Sequence, residues 1–241
     1  MPCARISCSS AWSSAPRPPS SRRRNGRCRS RTIWIGLPAY NEEATIPALF
    51  PRFREVFPDK SAAYRIVLYN DGCTDRTVER TLGWQNELNV EVIGKPVNKG
   101  LGEGLRCLVE HAATHGADDD VLFIMDCDDT HHPSQFADML AVLDRGNDVV
   151  IASRYRKGAR IAGLAPHRKL LSLGAASLFK LMHWCPGVLD YTCGYRGYRV
   201  SLLKRARAHY GERLIEERGF ACMVELLLKL NHLGAKMAEV P

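Results

Sequence analysis

Beyond position 31, short apolar runs alternate with longer stretches in which apolar residues recur every three or four positions. The runs predict strands at residues 33–37, 65–69, 90–93, 121–125 and 148–152. The longer periods predict helices at 42–56, 75–87, 100–115 and 133–143. Units of this length and order predict an α/β fold, a mostly parallel sheet with helices on both faces. After Arg154 the rhythm changes. Helices are expected at 169–184, 200–209 and 220–233, with Pro186 and Gly187 ending the first, and a strand opens at 235–240. A strand that opens without a following partner points to a chain whose C-terminal part is missing.

Residues 1–31 follow neither period. Rich in Ser, Arg and Pro, they are expected to be a disordered tail, with residues 32–241 as the folded domain. The tail also explains the formal charge of +8. It holds eight of the 34 Lys and Arg residues, whereas all 26 acids lie beyond it. The body is therefore balanced, which removes the argument for nucleic-acid binding. The tail reads as a basic arm or as translated sequence upstream of the true start, since it lacks the apolar stretch of a secretory signal. No run of eighteen uncharged apolar residues occurs, so a membrane-spanning helix is not expected. Nine cysteines without a CxxC pair suit reduced thiols in the cytosol and argue against a structural zinc site.

Asp126-Cys127-Asp128-Asp129 directly follows the apolar run at 121–125. If that run is a buried parallel strand, its carboxylates stand at the sheet edge where open α/β folds bind ligands. Two carboxylates one residue apart can hold a divalent cation against a diphosphate. An acidic first turn of a helix would look the same. Gly100-x-Gly102-x-Gly104 fails the dinucleotide-binding pattern, because Leu105 stands where the third glycine belongs and the cluster does not follow the first strand. His131 and His132 are adjacent, and neighbouring residues rarely face one ion.

Read in order, further segments join the aspartates: Pro38-Ala39-Tyr40-Asn41-Glu42-Glu43, Asn70-Asp71-Gly72-Cys73-Thr74-Asp75, Asn98-Lys99-Gly100-Leu101-Gly102, Ser153-Arg154-Tyr155, Asp190-Tyr191-Thr192-Cys193-Gly194-Tyr195-Arg196, and Gly219-Phe220 followed by Glu225. Together they resemble the family 2 glycosyltransferases of the A-type nucleotide-sugar fold (GT-A), most of all the dolichol-phosphate or polyprenyl-phosphate mannosyltransferase branch. The match runs from Ile33 to Pro241. It implies a Rossmann-like sheet with a C-terminal helical acceptor region. The implied activity is metal-dependent, inverting transfer of a hexose, mannose or glucose, from a nucleotide-diphospho-sugar to a polyprenyl or dolichyl phosphate. The implied setting is cytoplasmic, peripheral at the cytoplasmic membrane face, with a separate membrane subunit as a further candidate partner.

By the same resemblance, Asp126 and Asp128 hold Mg2+ or Mn2+. Pro38, Tyr40, Glu42, Asp71 and Cys127 join them in binding the nucleotide sugar. Pro38 and Tyr40 suit packing against base and ribose, and Glu42 and Asp71 suit accepting from them, although Asn41 could simply cap a helix and Gly72 and Asp75 could form a turn. Arg154, Arg168 and Ser172 are implied to hold the acceptor phosphate, with Asp128 completing the catalytic set; Arg168 and Ser172 are one helical turn apart. The helix at 169–184 then suits the lipid interface. The branch commonly has a glutamine two residues after its second aspartate, where this chain has Thr130. Transfer to a sugar hydroxyl is the alternative, and it would need Asp190 or Glu225 as a base. A non-catalytic nucleotide-sugar-binding or partner-docking protein is another.

Overall fold

The computed structural model describes residues 30–61, 63–128, 130–156 and 185–241. Residues 1–29 of the tail, Asp129, Arg168, Ser172 and the helix expected at 169–184 lie outside the described residues. Seven strands form one sheet: β1 (Ile33–Ala39), β2 (Tyr64–Asp71), β3 (Val90–Lys95), β4 (Val121–Ile124), β5 (Val149–Ala152), β6 (Arg196–Arg199) and β7 (Met237–Val240). Their order is β3-β2-β1-β4-β6-β5-β7. All neighbouring pairs are parallel except those of β6, which runs antiparallel to β4 and β5. The mostly parallel α/β sheet read from the sequence is the observed one.

Helices α1 (Ile46–Val56), α2 (Thr77–Leu82), α3 (Leu101–His115), α4 (Phe136–Asp144), α5 (Val200–Tyr210) and α6 (Ala221–His232) cover the sheet. The buried run of β4, Val-Leu-Phe-Ile, has apolar neighbours on both faces, as a central parallel strand requires. Close packing of α3 on β1 depends on Gly36: a side chain there would place Cβ 2.6 Å from Ile124 Cδ1 and within about 3.2 Å of Leu108. Leu105, Leu108 and Ala112 recur at helical spacing along the buried face of α3.

Three expectations are corrected. The first helix starts at Ile46, four residues later than expected, because Asn41 adopts a positive φ of 58° and Glu42–Thr45 form a turn, with Thr45 N donating to the Glu42 carbonyl. The second helix is six residues long and passes into a 3-10 turn at Gly83–Asn86. β6 was not expected at all. Its sequence, Arg-Gly-Tyr-Arg, has no apolar run, yet Arg196 is fully buried, donating to the carbonyls of Met223 and Tyr191 at 2.6 Å each. β7 pairs in parallel with β5, Val149 opposite Met237. Arg31, assigned to the tail, pairs with Asp144 at 2.6 Å.

Candidate active site

The C-terminal tips of the parallel strands share one edge, and most of the residues singled out from the sequence gather there. At the tip of β1, Pro38 is half-buried and Tyr40 is 49% exposed. The turn that follows is laced to the turn after β2. Asn41 Oδ1 accepts from Thr74 N at 2.8 Å, Glu42 N donates to Thr77 Oγ1 at 2.7 Å, and Glu43 N donates to Asp75 Oδ2 at 3.1 Å. Asn41 therefore bonds the neighbouring turn and does not cap α1, while Asp75 receives Thr77 N at the start of α2. Asp71 is buried, and its two oxygens accept from Lys99 N at 2.7 Å and Gly100 N at 2.8 Å. It thus fastens the loop that enters α3.

Beyond β4, Asp126 is half-buried and Asp128 is exposed. Burial pushes the Asp126 carboxyl up to about 6, with the charges of Asp128 and Glu42 adding and Arg154 offsetting them in part. Burial likewise raises Glu42, against a hydrogen bond from Thr45 and with Asp128 and Asp75 adding. Three carboxylates thus oppose one another across the tips of β1 and β4. Such a set stores repulsion that a cation relieves, so the residues present fit a divalent ion. No group of three or more His, Cys, Asp or Glu side chains is arranged to ligate a metal among the described residues, so water or a diphosphate would have to complete the shell. Thr130 donates from both N and Oγ1 to Asp128 Oδ1, at 3.1 and 2.7 Å. Cys127, expected to touch the donor, turns its side chain into the core, where burial raises its thiol; only its main chain can face a ligand.

His131 and His132 face different partners, Tyr195 (ring centroids 5.0 Å apart) and Ser134. Arg154 lies at the tip of β5. Its Nε and Nη2 fork onto Asp190 at 2.8 Å each, and Nη2 also reaches Thr192 Oγ1 at 2.6 Å. Asp190 is fully buried and also accepts from Arg154 N, Thr192 N and Cys193 N. Burial alone would raise it, but the Arg154 bonds and charge hold it below the ordinary value. Glu225 is similarly engaged, by Glu216 N, Glu217 N and Lys229 Nζ. A separate cleft of about 300 Å³ beside α3, lined by Lys95, Lys99, Arg106, Arg218 and Glu217 among others, contains none of the expected site residues.

Two residues of the Asp190–Arg196 segment that were given no role of their own lie in the site: Thr192 bonds Arg154, and Gly194 lies close to Asp126. Their only signal was that segment's place in the motif order.

A family model described as "Glycosyl transferase family 2" matches residues 34–207. The chain belongs to this family. Similar curated members include a dolichol-phosphate mannosyltransferase of Pyrococcus furiosus (28% identical, over 87% of this chain and 55% of that protein) and an undecaprenyl-phosphate mannosyltransferase of Micrococcus luteus (28%, over 85% and 80%). The chain thus spans about half the length of the Pyrococcus relative. Among solved structures, glucosyl-3-phosphoglycerate synthase of Mycobacterium tuberculosis with Mn2+, uridine diphosphate and phosphoglyceric acid has a TM-score of 0.60 at 24% identity, covering 87% of this chain and 68% of that one. TarS of S. aureus gives 0.60 at 21%, covering 87% and 35%. At these identities the two structures speak for the shared fold. No helix among the described residues is long and apolar enough to cross a membrane.

Proposed function

We propose that this family 2 member is an inverting hexosyltransferase, moving mannose or glucose from a nucleotide-diphospho-sugar to a polyprenyl or dolichyl phosphate at the cytoplasmic membrane face. The observation that carries the reading is the opposition of two poles at one sheet edge. One is a repelling carboxylate set, Asp126, Asp128 and Glu42; the other is a guanidinium, Arg154, oriented by a buried aspartate. The names of the curated relatives support the lipid-phosphate acceptor, and the Mn2+ and uridine diphosphate in a fold neighbour support the metal.

In this reading Asp126 and Asp128 hold Mg2+ or Mn2+, which when bound neutralises the charge of the leaving nucleoside diphosphate. Pro38 and Tyr40 offer half-buried and exposed surface for the base and ribose, and Glu42 an acceptor beside them. Arg154, held by Asp190 through Nε and Nη2, is assigned to the acceptor phosphate together with Arg168 and Ser172. A phosphate acceptor is largely ionised at neutral pH and needs positioning, not deprotonation. This disfavours transfer to a hydroxyl, because Asp190, held below its ordinary value and saturated with donors, is a poor base, and Glu225 is tied to Lys229.

The test is a donor screen of the purified chain, with GDP- and UDP-hexoses, a short polyprenyl phosphate or a simple sugar, and Mg2+, Mn2+ or a chelator. Transfer should require both the lipid phosphate and the metal. Arg168→Ala should lower acceptor use tenfold or more, in the range of a lost charged contact, and leave donor KM nearly unchanged. Unaltered transfer by Arg168→Ala, or transfer to the sugar hydroxyl instead, would overturn the lipid-phosphate assignment.

A further inference from the structure

The antiparallel strand β6 sets up an unusual neighbour for Asp126. In its ladder with β4, Phe123 is opposite Gly197 and Ile124 opposite Arg196. Continued two residues past the strand, this register brings Gly194 opposite Asp126. The two residues are close enough that a side chain at 194 would clash: a Cβ built on Gly194 would stand 2.9 Å from Asp126 Oδ2, 3.1 Å from Oδ1 and 3.3 Å from Cγ. All three of these atoms belong to the Asp126 carboxylate. Gly194 is not among the positive-φ glycines, so its backbone would accept an alanine. The need for glycine here comes from the carboxylate and not from chain strain.

The same turn is anchored at its other end. Asp190 accepts from Arg154 N, Nε and Nη2, and from the N–H groups of Thr192 and Cys193. Cys193 Sγ donates to the Ala152 carbonyl at 3.0 Å, and Ala152 N donates to the Tyr195 carbonyl at 3.0 Å. The turn from Asp190 to Tyr195 therefore bridges the tips of β4 and β5, with Arg154 at one end and Asp126 at the other.

We propose that Gly194 is a positioning residue for Asp126: the main chain of the Asp190–Tyr195 turn, bare at Gly194, is the stop against which the carboxylate rests, and it fixes that carboxylate's orientation relative to Arg154. The inference deepens the proposed function, resting on its reading of Asp126 as a metal ligand. A methyl group at position 194 must displace something, and the side-chain end of Asp126 is what can move. The fold should survive the substitution while the metal pole loses its geometry. In this respect Gly194 acts as outer-shell partners of metal ligands do, whose loss typically costs about 10- to 100-fold in metal affinity.

The experiment uses the full chain and Mn2+ in the presence of UDP or GDP, with free Mn2+ followed by electron paramagnetic resonance, alongside thermal unfolding of the metal-free protein. Gly194→Ala should weaken Mn2+ binding about tenfold or more, with its unfolding midpoint close to the parent's. Should Gly194→Ala lose the folded state, the double variant Gly194→Ala/Asp126→Ala decides: recovery of folding identifies the carboxylate as the clashing group and supports the proposal, and no recovery overturns it. Parental Mn2+ affinity in a folded Gly194→Ala also overturns it, leaving the proposed function intact. A parent chain that binds no Mn2+ with either nucleotide would overturn both.

Discussion

Asp126 and Asp190 stand at the same edge of one sheet, yet their surroundings make them opposites. Asp190 has no exposed surface and is met by a guanidinium fork and main-chain N–H groups; its acidity is increased. Asp126 keeps some exposure, faces Asp128 and Glu42, and is pushed up to about 6. A buried carboxylate that is fully paired contributes to structure, whereas one left among its own kind is held ready for a cation or a ligand. The identity of the residue does not distinguish the two roles; the number of donors around it does.

The comparison fails first if the carboxylates at β4 are not the reactive pole. Asp128→Asn keeps the shape and removes a charged ligand, so turnover should fall by about two orders of magnitude or more, with excess metal restoring only part. Initial rates with Mn2+ over a range of concentrations check this, and full activity in a chelator would remove the metal role.

Next in size is the structural pole. Asp190→Ala strands the Arg154 guanidinium in partly buried surroundings, and urea unfolding should show a loss of about 3–5 kcal/mol. Because the folded Asp190 lies below an unfolded aspartate, the stabilisation is complete above the ordinary aspartate range and is lost as pH falls through the lower folded value. The difference between parent and Asp190→Ala should therefore shrink at strongly acid pH. A cost below 1 kcal/mol at neutral pH would mean that the brace is incidental.

The smallest effect sharpens the contrast by reversing its sign. Asp126 lies above its ordinary value of 3.8, so its ionised form opposes folding, and the penalty develops as pH rises towards about 6. Metal-free Asp126→Asn should thus be more stable than the parent above that pH, by at most about 3 kcal/mol, and should lose the advantage near pH 4. Denaturant titrations at several pH values check it, and a destabilised Asp126→Asn at pH 8 would contradict the repulsion.

Much of this arrangement was legible in the chain. Apolar runs located six strands, and the segments at β1, β2 and β4 placed Pro38, Glu42, Asp71 and the aspartate pair at one edge. What escaped did so for physical reasons. Arg196-Gly197-Tyr198-Arg199 forms a central strand because its arginine is satisfied by carbonyls of α6 and of the preceding turn, partners remote or local that no periodicity encodes. Gly197 is needed there because Phe123 and Val150 crowd it from both sides. Asp71 was expected to accept from the base or ribose; that it also holds the main-chain N–H groups of Lys99 and Gly100 was not legible, because they lie 28 and 29 positions away. Cys127 was grouped with its neighbours by order, whereas its side chain packs in the core.

The insertion of β6 between β4 and β5 also bears on how the molecule comes into being. A ribosome releases β3, β2, β1 and β4 as a contiguous parallel unit, but the strand that β4 must pair with on its other side arrives only at Arg196, after β5 has already been made. Until then β4 has an unpaired, apolar edge and β5 has no neighbour at all, since β7 is later still. Contacts of such sequence separation form slowly. The nascent chain thus passes through a stage in which one half of its sheet can pair and the other still lacks its strands.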